Sequence, residues 1–282
     1  MLNKDELLQF NKDGYIIKPI LSESKIDLYL NIIHNHIKQN NDKMFNIQFI
    51  QPKMAIKGIQ SIINNNKIIE ICSHLLKGGD IILDGASLFY ANKGVDYRQG
   101  WHRDVIQIPD EEILDSWYSD KHFHNNIQIN IPLYKDECLW FVKGSHIRNF
   151  NNIEKALFSG SKKIAPMKSP DINIGEKIIL NPGEAIFYNN LAIHRGYGGI
   201  LKHNRATIQL GYHTNRCEPT CHFGVMDYKK FDEDYINSLD SEVKNMLYNH
   251  ILERKKWDKS EFYYNLHQDF IKKEFDINIL GK

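Results

Sequence analysis

Between Leu21 and Lys38 the apolar residues Ile26, Leu30, Ile33 and Ile37 recur at steps of three and four, which predicts an amphipathic helix with Ser22 and Ser24 as candidate N-caps. Ile62 to Leu76 predicts a second outer helix, and the run Asn64-Asn65-Asn66 reads as a local turn and a compositional bias. From Ile81 to Tyr212 the pattern changes to short β-branched and apolar runs. Gly183-Glu184-Ala185-Ile186-Phe187-Tyr188 reads as a turn leading into a buried strand, and Arg205-Ala206-Thr207-Ile208-Gln209-Leu210 as another core strand. Asn126-Ile127-Gln128-Ile129-Asn130-Ile131 alternates strictly, so Gln128 and Asn130 share one face and the isoleucines the other. Two loops interrupt this region, one between Pro109 and Asn126 and one between His146 and Asp171. After Val225, charges of both signs alternate among aromatics such as Trp257, Tyr263 and Tyr264, the pattern of a solvated helical appendage whose aromatics dock on the main body or on a second subunit.

The expected architecture is mainly β with outer helices, in one domain spanning 1–282. Within it, 1–80 forms a helical support, 81–224 the strand-rich core and 225–282 the C-terminal appendage. With 282 residues, 42% of them hydrophobic, the chain can bury a sizeable core. A balance of 36 basic against 35 acidic residues leaves a formal charge of +1 and no whole-molecule field for steering nucleic acid. Asp5 and Glu6 stand where a secretory leader would be basic, and no run approaches the roughly 18 apolar residues of a membrane helix. Cys72, Cys138, Cys217 and Cys221 are too few for a disulfide framework in a chain this long. These features predict a cytoplasmic protein with no nucleic-acid or membrane partner. They leave the oligomeric state open.

The chemistry concentrates in Gly100-Trp101-His102-Arg103-Asp104 and Ala192-Ile193-His194-Arg195-Gly196, followed by Arg205. In extended chain, residues i and i+2 point to the same side, so His102 and Asp104 can grip one metal. His194 would complete two imidazoles and one carboxylate, the facial set that binds non-haem Fe(II) with open positions. Arg205 lies in a predicted core strand, where a guanidinium needs an anion, and its planar fork suits a dicarboxylate such as 2-oxoglutarate. His-x-Asp alone is weak evidence in a chain with 13 His and 35 acidic residues. His213, Cys217, Cys221 and His222 are soft donors too, but their short gaps do not form the two separated knuckles of a structural zinc site.

From the N-terminus to about Tyr212 the chain resembles the phytanoyl-CoA dioxygenase family of Fe(II)/2-oxoglutarate oxygenases. Phe10-Asn11-Lys12-Asp13-Gly14-Tyr15-Ile16-Ile17 and Leu21-Ser22-Glu23-Ser24-Lys25-Ile26 look like its opening helix, Asp-Gly-aromatic turn and second helix. Gly100 to Asp104 follows. Ile129 to Leu133 with Cys138 to His146 is similar to its central hairpin, which ends in a Gly-Ser/Thr-His turn. Gly183 to Phe187 then leads into His194 and Arg205.

The resemblance implies a double-stranded β-helix, or jelly roll. His102, Asp104 and His194 would bind Fe(II), and Arg205 would hold the distal carboxylate of 2-oxoglutarate, with O2 as the other co-substrate. It places Asn130, and with it the face that Gln128 shares, near the co-substrate. It implies oxidation, chiefly hydroxylation, of an unactivated C–H with release of succinate and CO2. Asp104 fills the position that metal-dependent halogenases leave empty, which disfavours halogenation. Trp117, His122 and His124 in the first loop, and Lys93 after the strand Ser87 to Asn92, are the candidate substrate contacts, and they suit a polar or anionic metabolite. His146 is expected to stabilise its hairpin turn. A peptide or protein hydroxylase, and a non-catalytic jelly roll that binds metal or ligand, remain alternatives.

Overall fold

The computed structural model describes residues 2–40, 46–104, 126–154, 173–216 and 230–257. Helix α1 (Lys4–Asp13) opens on a capping box, in which the Asn3 side chain accepts from the Glu6 N–H and Glu6 reaches back to the Asn3 N–H. It ends at Gly14, whose φ of 88° is the left-handed conformation that glycine adopts without strain. Strand β1 (Tyr15–Pro19) and helix α2 (Glu23–Asn40) follow. The predicted stripe of α2 is realised, with Ile26, Tyr29 and Ile33 buried. The second predicted helix divides in two. A 3-10 turn covers Gln60–Asn64, and α3 (Asn66–Leu75) begins only after Asn65, whose side chain accepts from the Lys67 and Ile68 N–H groups.

Nine further strands follow among the described residues: β2 (Asn46–Ile47), β3 (Ile81–Ala91), β4 (Asp96–Arg98), β5 (Ile127–Pro132), β6 (Asp136–Phe141), β7 (Glu176–Leu180), β8 (Glu184–Asn189), β9 (His194–Ile200) and β10 (Arg205–Thr214). They form a large sheet in the order β1-β8-β5-β10-β3-β2 and a small one in the order β4-β9-β6-β7, antiparallel throughout. Apart from β2–β3 and β6–β7, the neighbours in each sheet are not consecutive in the chain, as the two-sheet winding of a jelly roll requires. The sheets face each other across Tyr15, Phe141, Ile186 and Tyr188.

The large sheet carries its main apolar core on the outside. Ile127, Ile129 and Ile131 of β5 and Ile208, Leu210 and Tyr212 of β10 pack in one cluster with Ile33 of α2 and with Ile68 and Leu75 of α3. The C-terminal helices α4 (Glu233–Asn237) and α5 (Ser241–Trp257) complete this layer through Ile236, Val243, Leu247 and Ile251. Since side chains alternate along a strand, the inner face receives Gln128, Asn130, Thr207, Gln209 and Arg205. An apolar outer face and a polar inner face describe a barrel built around an interior site. Among the described residues no helix is long and apolar enough to cross a membrane.

Candidate metal centre

His102 and His194 face each other across an isolated antiparallel bridge, each backbone N–H donating to the other's carbonyl at 2.9 Å. Asp104 is tied down beside them: its N–H donates to the Asn190 carbonyl at 3.0 Å, and Asn190 Nδ2 donates to the Asp104 carbonyl at 3.1 Å. The turn Gly144-Ser145-His146 supports the third ligand from below. Ser145 Oγ donates to the Val142 carbonyl at 2.6 Å and accepts from the Ile193 N–H at 2.7 Å, fixing the residue that precedes His194.

The three side chains converge, with their ligand atoms all within 4.8 Å of one another. His102 Nε2 lies 3.3 Å from Asp104 Oδ1, and His194 Nε2 lies 3.1 Å from Oδ2. The opposite ring nitrogens are engaged by backbone: His102 Nδ1 with the Gly100 carbonyl at 2.8 Å and His194 Nδ1 with the Ala192 carbonyl at 3.0 Å. A carbonyl only accepts, so each Nδ1 carries the proton and each Nε2 lone pair points into the centre, the arrangement of a metal-ligating histidine. Two imidazole nitrogens and one carboxylate fit a divalent metal of the Fe(II) type, with positions left for other ligands.

On the far side of the bridge Trp101 and Arg195 meet. The Arg195 guanidinium lies 4.5 Å from the Trp101 ring, 4.5 Å from Tyr197 and 5.4 Å from Trp140. This cation–π stack buttresses the strands that carry the ligands. On the inner side the Tyr188 ring lies 5.1 Å from that of His194. Burial lifts the Tyr188 phenol well above its usual range, so it stays protonated.

Arg205 is buried on the inner face, and its anionic partner belongs to the protein itself. Arg205 Nε donates to Asp136 Oδ2 at 2.8 Å, while Thr207 Oγ1 donates to the same oxygen at 2.6 Å and the Cys138 N–H to Asp136 Oδ1 at 2.8 Å. The guanidinium also lies 4.5 Å from the Tyr97 ring. Burial opposes both charges, yet each stabilises the other, lowering the Asp136 pKa and raising that of Arg205. Arg205 Nη1 is buried without a hydrogen-bond partner. One arm of the fork is thus committed and another is open, which fits a second carboxylate arriving from the barrel interior.

Gln128 and Asn130 do lie on the inner face. Asn130 sits opposite Gln209, and Gln128 opposite both Gly211 and Tyr188. Lys93 is placed elsewhere. It is exposed in the β3–β4 turn, beside the Ala91–Arg205 pair and the Asp96–Ile200 pair, at the end of β9 remote from His194. The length of β9 separates it from His194. Trp117, His122 and His124, with Cys217, Cys221 and His222 of the alternative zinc set, lie outside the described residues. His213 of that set pairs instead with Asp84, Nδ1 to Oδ1 at 2.7 Å. His146 is buried beneath Gly14, with Nε2 bonded to the Asn11 carbonyl at 3.1 Å, while Ser145 makes the hydrogen bonds of the turn.

Sequence reasoning passed over Asp136, Ser145 and Tyr188. A signal existed for Asp136, because a buried arginine calls for a carboxylate from a neighbouring strand.

Solved structures share this architecture. HygX from Streptomyces hygroscopicus, crystallised with nickel and 2-oxoglutarate, matches with a TM-score of 0.58 at 12% identity, over 76% of this chain and 88% of that one. SnoK, a non-haem alpha-ketoglutarate-dependent carbocyclase from nogalamycin biosynthesis, matches with a TM-score of 0.58 at 15% identity, over 80% and 89%. AviO1 from Streptomyces viridochromogenes Tue57 matches with a TM-score of 0.56 at 13% identity, over 78% and 99%. The chain shares their fold. No family model matches the sequence, and no curated protein matches it.

Proposed function

We propose that the protein is an Fe(II)/2-oxoglutarate-dependent oxygenase of the phytanoyl-CoA dioxygenase kind, acting in the cytoplasm on a small polar metabolite. The observation that carries this reading is the facial set His102, Asp104 and His194 in one barrel with a buried arginine whose Nη1 is open. Bound iron and 2-oxoglutarate would supply the oxidising power for converting a C–H to C–OH, with O2 reduced and 2-oxoglutarate released as succinate and CO2.

The chain's own residues provide orientation and exclusion. The Gly100 and Ala192 carbonyls fix the tautomers that turn both Nε2 atoms inward. Arg205, held by Asp136 at Nε, would take the distal carboxylate at Nη1, and Asn130 and Gln209 line the inner face between Arg205 and the row of Tyr188 and Gln128. Tyr188 presents a neutral ring beside His194, which keeps bulk water from that flank. Hydroxylation is the expected outcome because Asp104 occupies the third protein position. The buried free thiols Cys72 and Cys138 suit a reducing compartment.

The test is anaerobic titration with Fe(II) and 2-oxoglutarate, following the weak visible charge-transfer band of the chelate. The band should form in the wild type, vanish in His102→Ala and require more 2-oxoglutarate in Arg205→Lys. A folded wild type that gives no band would overturn the reading.

A further inference from the structure

The metal residues and the arginine of the site belong to different sheets. His194 opens β9 of the small sheet, with His102 bridged to it, whereas Arg205 opens β10 of the large sheet. A ligand held at both ends therefore spans two layers. Two side chains of the small sheet cross the gap, and both grip Arg205. Asp136 of β6 takes its Nε at 2.8 Å, and Tyr97 of β4 lays its ring 4.5 Å from the guanidinium.

Tyr97 reaches this position by an irregular route. It pairs with Gly199, but an extra residue on β9, Gly198, breaks the β4–β9 register between Tyr97 and Arg98. The ring leans back along β9 toward the metal end and covers Gly196, the second residue after His194 and on the same face. A Cβ at 196 would stand 2.8 Å from Tyr97 Cε1, 2.9 Å from its Oη and 2.5 Å from Gln99 Oε1, all closer than packed atoms approach. The Gln99 tip is partly exposed and can swing aside. Tyr97 cannot, because it is 2% exposed and packed among Ala91, Cys138 and Leu201. Gly196 is not among the glycines with positive φ, so its backbone does not demand glycine. The position is bare because the ring lies across it.

The same contacts fix the direction in which Arg205 points. Asp136 is itself anchored by Thr207 Oγ1 and the Cys138 N–H, so the Nε edge cannot turn. The Tyr97 ring covers one face, and Phe89 of β3 adds a ring 5.7 Å away. Burial pushes the Tyr97 phenol up to about 12 against the opposing effect of Arg205, so it stays neutral and leaves the guanidinium charge to a ligand. The unmet corner is Nη1. Solvent reaches the interior at both ends of the span, because Phe89 and Gln209 near Arg205, and Gln99, His102 and Asp104 near the metal centre, are all partly exposed. An arginine free to re-aim its long side chain could follow diacids of different length. One clamped from two strands cannot.

We infer that Tyr97 and Asp136 hold Arg205 at a fixed reach from the metal ligands, and that Tyr97 is thereby the positioning residue that selects the chain length of the 2-oxo diacid bound between them. This role rests on the oxygenase reading, which takes the diacid for the co-substrate.

The test is anaerobic titration of the Fe(II)-loaded full chain with 2-oxoglutarate, with oxaloacetate, one methylene shorter, and with 2-oxoadipate, one longer. All three carry the same 2-oxo carboxylate, so the charge-transfer band reads each in the same way. The wild type should prefer 2-oxoglutarate over both by about tenfold or more, the usual worth of one methylene in a fitted pocket, and the margin should shrink to about threefold or less in Tyr97→Leu and in Gly196→Ala. Tyr97→Phe keeps the ring and should keep the margin. The rise in melting temperature with Fe(II) alone should match the wild type in every variant, which a general loss of structure would not allow. Should Tyr97→Leu fail to fold, Gly196→Ala decides. A margin that survives in the deciding variant, or a wild type that binds the three acids equally, would overturn the inference while leaving the oxygenase reading in place. No band with any of the acids would sink the oxygenase reading itself.

Discussion

Asp136 gathers three donors onto one carboxylate, from Arg205, Thr207 and the Cys138 backbone, and it does so in the barrel interior. Breaking a buried pair by removing one partner strands the other charge, at a cost of about 3–5 kcal/mol. Asp136→Leu should lose stability on that scale in urea denaturation, whereas Asp136→Leu combined with Arg205→Met should recover most of it. Equal losses in the single and double variants would show that the two charges are not coupled. At this scale the sequence was legible where motif spacing sets geometry: His102, Asp104 and His194 converge, and Arg205 is buried in its strand. Asp136 escaped because it lies in Lys135-Asp136-Glu137, a run that reads as a solvated turn. Its burial is created by a strand that returns 69 residues later, which no local pattern encodes.

Elements meet through groups whose protonation burial forbids. On α5, His250 bonds through Nδ1 to the Leu83 carbonyl of β3 at 2.7 Å and is fully buried. Burial, and then the nearby Arg254, push its pKa down to about 3, against smaller opposing effects of the Leu83 carbonyl and Asp84 and with His213 adding to the fall. In the unfolded chain the same imidazole takes a proton near pH 6.5, so the stabilising effect of its neutrality is complete above that pH. It is lost as pH falls toward 3, at about 1.4 kcal/mol per pH unit for each such group. Burial drives His146 down to about 4 as well, adding to the slope through most of that window. Urea midpoints measured between pH 7 and 4.5 should therefore fall steeply, and His250→Gln, which keeps a donor for Leu83, should flatten the curve. An unchanged slope in that variant would mean that the α5 contact does not hold a neutral imidazole. Element existence was readable from periodicity in α2 and β5, but the start of α3 was not. Asn64, Asn65 and Asn66 are equally good caps locally, and the choice of Asn65 follows from the 3-10 turn before it, which buries Ile62 and Ile63 and lends the Ile63 carbonyl to Tyr212 Oη.

Across the whole molecule, the apolar outer face of the large sheet provides the main core and leaves the interior free to be polar. The cost is an interior with open valences: three ligand atoms within 4.8 Å, an unpartnered Arg205 Nη1 and a row of unmet amides. Ligands that fill them should stabilise the fold in a fixed order. A metal at a hundred times its dissociation constant adds about 2.7 kcal/mol, which for a chain of this size raises the melting temperature by roughly 5–10 °C. That shift should disappear in His102→Ala and in His194→Ala, because each removes one of the three proposed ligands among the described residues. 2-Oxoglutarate should add a further rise only when metal is present, since Arg205 alone offers it one committed and one open arm. Calorimetry with each ligand alone and with both measures this coupling directly. An increment from 2-oxoglutarate that is equal with and without metal, and that survives Arg205→Lys, would place the dicarboxylate at some other site. Arg205 would then be a structural partner of Asp136 and nothing more.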